Sequence, residues 1–182
     1  MLFNTRAAMT CVKQVNSTLE RVEGAASGED LSGADRRAVL DDMQSLLLHG
    51  GAVSLILWPG KQGDQRRGEH LREALDLTEM NPLLNRSVRH AITHFDERLD
   101  RYFRNYPPGA FLPEFVGTSS HCGGLATHLF QAYYVDLRVF TVLGEQCDIQ
   151  TLAAEMARIH QCLLECDRIG RLLKACNRRE AR

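Results

Sequence analysis

The stretch Leu83 to Arg104, LLNRSVRHAITHFDERLDRYFR, constrains the fold more than any other part of the chain. At roughly 100° per residue, Leu84, Val88, Ile92, Phe95, Leu99, Tyr102 and Phe103 fall on one apolar stripe. Arg86, His90, His94, Glu97 and Arg101 gather on the opposite side, with Arg89 beside them. The spacing predicts one amphipathic helix. Asn81 caps it, Pro82 takes its first position, and it ends before Tyr106-Pro107-Pro108-Gly109. A face that had only to be solvated would carry Glu and Lys. This one carries two histidines one turn apart among three arginines, which makes it the first place to look for chemistry.

The rest of the pattern is mostly helical. Residues 4–23 place Ala8, Cys11, Val12, Val15, Leu19 and Val22 at three- and four-residue spacing, which predicts a first helix. The Gly/Ser loop GAASGEDLSG at 24–33 breaks it. Ser32 or Asp35 caps a second helix that runs to about Trp58 and ends at Pro59-Gly60. Its residues Leu40, Met43, Leu46, Leu47, Val53, Leu55, Ile56 and Leu57 make it the most apolar of the helices and the central one. His49-Gly50-Gly51 interrupts that run, so either another helix packs closely there or the helix bends. His49 reads as a satisfied core or interface histidine, and Trp58 as a core plug at the helix end.

Lys61, Arg66 and Arg67 mark a basic, solvated loop, followed by a short helix over 69–77. The helical period is lost from 107 to 130. QAYYVD and RVFTVL, between Gln131 and Leu143, are rich in aromatic and β-branched residues and predict a hairpin with Asp136-Leu137 at its tip. Gly144-Glu145 turns the chain out, and Asp148 caps a last helix from Ile149 to about Cys176. The sum is mainly all-α: four long helices and a short one in a single domain over 1–182, with a loop and small β-hairpin inserted at about 107–147 before the last helix.

Composition narrows the function classes. The 22 basic and 23 acidic residues leave no global field for a polyanion, so a nucleic-acid site would have to be a local patch. That patch would be mostly arginine, since lysine occurs only at 13, 61 and 174. The cysteines at 11, 122, 147, 162, 166 and 176 show no CxxC pair and no disulfide framework. No apolar run is long enough for a membrane span, and no signal peptide is expected. The expectation is a cytoplasmic protein with reduced thiols. His121-Cys122, His128 and Cys147 lack the paired spacing of a structural zinc site, and Cys162 and Cys166 read as small hydrophobes on the last helix.

His90 and His94, at i and i+4, project side by side. Histidine exchanges protons near neutral pH, and the arginine fork suits a phosphate. Together they are the minimal kit for cleaving an RNA phosphodiester, because the substrate brings its own 2′-hydroxyl nucleophile and the protein supplies acid, base and charge stabilisation. The same residues also fit a polar helix face joined by His90–Glu97 or Glu97–Arg101 pairs, or a metal site of His90, His94 and Glu97. The zincin glutamate directly after the first histidine is replaced by Ala91, which argues against a metalloprotease.

Arg89-His90-Ala91-Ile92-Thr93-His94 resembles the motif of the HEPN superfamily: an arginine, a polar residue directly after it, then a histidine, on a helix of a small bundle. The resemblance implies a four-to-five-helix bundle and a metal-independent endoribonuclease that needs no cofactor. It also implies a homodimer with two motifs facing each other, and a setting in which RNA and a cognate antitoxin or other protein are partners. In that pattern Arg89 holds the scissile phosphate, His94 is the acid or base, and His90 helps to orient them. The helical wheel adds Arg86 and Arg101 as RNA-backbone contacts. The stretch RRGEHLREALDL…RHAITHFDERLDRYF is also similar to a group of uncharacterised small bacterial proteins, which implies no activity. The alternative to an enzyme is a catalytically silent helical homodimer that binds a protein or small ligand.

Overall fold

The computed structural model describes residues 1–23, 31–78, 80–105, 109–122 and 127–170. Three long helices carry most of the core. α1 (Leu2–Glu23) buries Ala8, Cys11 and Val15 and packs against both α2 (Gly33–Leu57) and α6 (Ile149–Ile169). α2 starts where Ser32 Oγ accepts the Asp35 N–H at 3.1 Å, the capping expected of that serine. Asp148 does the same for α6, accepting the Thr151 N–H at 3.0 Å. α6 stops at Gly170, and Cys176 and the rest of the tail lie outside the described residues. So does the 24–30 part of the Gly/Ser loop.

α2 is central: it touches α1, the short helix α3 (Gln65–Ala74), the helix α4 (Ser87–Thr93) and the sheet. α3 begins earlier than the expected 69, and Arg67 pairs with Asp64 across 3.6 Å at the surface. His49 is satisfied as expected: its Nδ1 meets Asn4 Oδ1 at 3.1 Å, and the Phe3 ring stands edge-on to it. Trp58 is half-buried beneath the Arg72 guanidinium, 5.6 Å from the ring centre. The glycine pair does not break α2, which runs continuously for 25 residues. Close packing, the other expectation, holds at Gly51, where a β-carbon would overlap the Arg89 side chain of α4, whereas at Gly50 it would meet Leu83 and Leu152 at ordinary distances.

Two expectations require correction. The stretch 83–104 is not one helix. Asn81 does cap with its side chain, accepting the Leu83 N–H at 3.0 Å, but what it caps is only a 3-10 turn over Pro82–Leu84. Asn85 is extended, and its Oδ1 takes the Ser87 N–H at 3.1 Å to restart the chain as α4. His94 then leaves helical geometry (φ −124, ψ 44) before α5 (Phe95–Asn105). The reason is that the apolar stripe serves two surfaces. Val88 and Ala91 are buried on α4, which lies between α2 and one part of the sheet, whereas Phe95 and Tyr102 of α5 meet Phe130 in another part of it edge-on.

The second correction concerns 107–130. The expected hairpin is present as β2 (Thr127–Tyr134) and β3 (Val139–Val142), with Tyr134 opposite Val139. It belongs to a four-stranded sheet in the order β1-β2-β3-β4. β1 (Ala110–Gly117) pairs parallel to β2 in register from Ala110–Thr127 to Gly117–Tyr134. β4 (Glu145–Asp148) pairs antiparallel to β3. Leu143 (φ 49) and Gly144 (φ 84) form the two-residue turn between β3 and β4, the left-handed backbone pair that tight hairpins favour. Glu145 therefore starts a strand instead of leaving the sheet. The architecture is mainly helical with a small mixed sheet, and no helix among the described residues is long and apolar enough to cross a membrane.

Candidate functional site

The candidate site lies on α4 and the first turn of α5, where the chain brings Arg89, His90 and His94 together. The two imidazoles stack with ring centres 6.1 Å apart and planes 21° from parallel. Arg89 Nη2 lies 3.2 Å from His90 Nε2. Arginine has no acceptor, so the contact requires an unprotonated Nε2, and the proton of neutral His90 sits on Nδ1. Electrostatics agree. Desolvation lowers the pKa of His90 first, and the charges of Arg89, His94, Arg98 and Arg86 lower it further. His94 is open to solvent, with 54% of its side chain exposed and Nδ1 3.9 Å from Glu97 Oε1.

Packing explains how Arg89 is placed. Its aliphatic stem lies across Gly51 of α2, so closely that a β-carbon there would come 2.0 Å from Arg89 Cδ. Its Nε is buried without a hydrogen-bond partner, while Nη2 reaches His90. Arg86 does different work. Its guanidinium turns inward, donating to Ser54 Oγ at 2.9 Å, the Ser54 carbonyl at 3.2 Å and the Trp58 carbonyl at 2.7 Å. It thereby gives the Trp58 carbonyl, past the end of α2, a donor and adds a second one to the Ser54 carbonyl, which also accepts the Trp58 N–H at 2.8 Å. Burial, then the charge of Arg89, lowers its pKa.

Sequence reasoning passed over Arg98. It sits one turn after His94 and is among the charges that depress His90. The i, i+4 spacing from His94 was the available signal. Its partner was not legible: Arg98 Nη1 holds Glu145 Oε1 of β4 at 2.8 Å. Arg101 is exposed one turn further along, beside Arg98 and Asn105 on a shallow groove, and stands apart from the histidine pair.

Among the described residues, no three His, Cys, Asp or Glu side chains converge as a metal site. His128 is buried in an aromatic cluster with Tyr102 Oη 3.3 Å away. The side chains of His121 and Cys122 lie outside the described residues. Cys147 is buried, and its thiol is pushed up to about 11 by desolvation and then by Asp148, a protonated core group and not a nucleophile. Cys162 is buried as well, as a small hydrophobe should be.

The arrangement offers three chemical abilities: a neutral imidazole engaged with a guanidinium, an accessible imidazole stacked on it, and positive charge on both sides of the pair. Compared with protein-family models, curated proteins and solved structures, the chain matches none of them.

Proposed function

We propose that this protein is an RNA-binding, metal-independent endoribonuclease of HEPN-like architecture, acting as a homodimer with its motif helices at or near the subunit interface. The observation that carries the reading is the Arg89–His90 contact with the accessible His94 ring stacked against it. Arg89 binds the scissile phosphate. His90, neutral at physiological pH, accepts from Arg89 and orients it. His94 takes the proton from the 2′-hydroxyl, whose oxygen attacks phosphorus as the P–O5′ bond breaks. The imidazolium so formed returns its proton to the departing 5′-oxygen. The products are a 2′,3′-cyclic phosphate and a free 5′-hydroxyl. Exposed Arg101 contacts the RNA backbone; Arg86, held by Ser54 and Trp58, supports the site from behind.

A fluorescent RNA cleavage assay in EDTA, with wild type, His94→Ala and a 2′-deoxy substrate, tests the proposal. Cleavage by wild type, lost in His94→Ala with melting temperature intact, is the expected result. Cleavage of the deoxy substrate, or equal cleavage by the two proteins, sinks it.

A second reading draws on the packing of the arginines. Arg86 and Arg89 are both built against α2, which suits a silent helical homodimer that binds a protein partner, such as an antitoxin, or a small ligand. In that case Arg89→Ala lowers stability or alters assembly, and no preparation cleaves RNA above background.

A further inference from the structure

A second site lies on the other side of α4 from the histidines. Ile92 stands about 200° around the helix from His90 and faces a cavity of about 400 Å³ between α2, the α4–α5 junction and the sheet. Phe95 and Phe130 continue its apolar wall, and Gln44, Glu114 and Gln131 form its polar wall. The volume is within the range of small-molecule sites, as is the mixture of an apolar wall with a few polar groups. The two phenyl rings are 6.4 Å apart at 82°, so a flat ring entering the cavity stacks on one and meets the edge of the other.

The polar wall is an ordered chain. Gln44 Nε2 donates to Gln131 Oε1 at 2.5 Å, and Gln131 Nε2 donates to Glu114 Oε1 at 3.5 Å. From outside, Arg37 donates to both oxygens of Glu114 at 3.3 and 3.4 Å. These contacts to Glu114 are long, so its carboxylate keeps accepting capacity, and the Gln131 amide has a second N–H. The wall thus offers a pair of acceptors next to a donor. Arg37 already balances the charge of Glu114, so a cation gains little there. A neutral ring with two adjacent N–H groups and a neighbouring carbonyl gains most.

Among nucleobases that edge belongs to guanine, with O6 as acceptor and N1–H and N2–H as donors. Adenine, cytosine and uracil each present a lone pair where the carboxylate needs an N–H. We propose that this cavity binds a guanine base, presented by a free nucleoside or as an unstacked base in RNA. The inference does not rest on cleavage at His94.

The test follows the Ile92 methyl resonances while guanosine, adenosine, cytidine and uridine are titrated into the full chain. Parallel titrations use 2′-O-methyl tetranucleotides with and without one guanine, which 2′-hydroxyl chemistry cannot cleave. Guanosine should move these resonances and bind about tenfold more tightly than the other nucleosides. Glu114→Gln, which turns an acceptor into a donor, should lose about that factor with its melting temperature retained. Ile92→Phe, which fills the cavity without touching the polar wall, should lose it too and decides the matter if Glu114→Gln does not fold. Binding of guanosine itself assigns the site to a free nucleoside, and response to the guanine-containing tetranucleotide alone assigns it to RNA. Response to neither, equal response to all four nucleosides, or guanosine binding undiminished by the folded variants overturns the proposal.

Discussion

Gly51 of α2 is the seat of Arg89: a β-carbon there would lie 2.0 Å from Arg89 Cδ and 3.2 Å from its Cγ. The motif arginine is therefore positioned by the absence of a side chain on a different helix, thirty-eight positions earlier in the sequence. In a helix interior alanine is favoured over glycine by about 1 kcal/mol, but overpacking a filled contact costs about 1–3 kcal/mol. Gly51→Ala should lower the melting temperature instead of raising it, as calorimetry will show. It should also move Arg89 off His90 and reduce RNA cleavage. Raised stability with unchanged cleavage would mean that Arg89 swings aside freely and that the seat has no importance.

The depressed pKa of His90 has a sign in the pH dependence of stability. The unfolded chain takes up its proton near the ordinary value of 6.5, and the folded chain only at lower pH. Between those points the unfolded state binds more protons, so stability falls as pH drops below about 6.5. His90→Gln removes this contribution. Thermal melts at about pH 7.5 and about pH 5.5 should show a smaller drop for His90→Gln than for wild type. An equal drop would place the proton uptake elsewhere.

Arg86 ties α4 to the end of α2 through three hydrogen bonds. Arg86→Ala removes this donor from the hydroxyl and carbonyl of buried Ser54 and from the carbonyl of half-buried Trp58, and charged hydrogen bonds contribute about 1.5–3 kcal/mol. Chemical denaturation should show a loss of about 2–3 kcal/mol, with a change in Trp58 emission in the native baseline. If Arg86 were instead mainly an RNA contact, stability would hold and only RNA affinity would fall.

Glu155 acts at a lower pH. Burial by itself would raise its pKa, but hydrogen bonds from Arg158 and Asn81 outweigh that and lower it below the ordinary 4.5. Its stabilisation is present above about pH 4.5 and is lost as pH falls through the lower folded value. Asn81, which Glu155 holds at 2.6 Å, caps the turn that leads into the motif. Glu155→Gln should cost about 1 kcal/mol at neutral pH and flatten the acid limb of a stability–pH profile. An unchanged acid limb would show that other carboxylates dominate it.

Local patterns were readable where the cause was local. Ser32 and Asp148 cap the helices expected of them because a side-chain oxygen reaches an amide two or three residues on. The β2–β3 hairpin was legible from its aromatic and β-branched runs. β1 was hidden because its first four residues are exposed and break the alternation of a half-buried strand, and parallel pairing with β2 comes from contact at a distance along the chain. The break at His94 was hidden for a related reason: a helical wheel assumes one straight axis, and the stripe here divides between α4, packed on α2 and the sheet, and α5, whose Phe95 and Tyr102 meet Phe130.

The mainly helical class, the starts of α2 and α6, the burial of Val88 and Tyr102, and the side-by-side placement of His90 and His94 were all legible in the sequence. These follow from backbone periodicity, which is a property of neighbouring residues. What each arginine does came from the packing of separate elements. Arg86 is committed to the carbonyls of Ser54 and Trp58, Arg89 to Gly51 and His90, and Arg98 to Glu145, while Arg101 stays in solvent. The cause is reach: a long flexible cation on a helix takes its partner from whatever element is packed beside it, and a wheel drawn from one helix contains none of those elements.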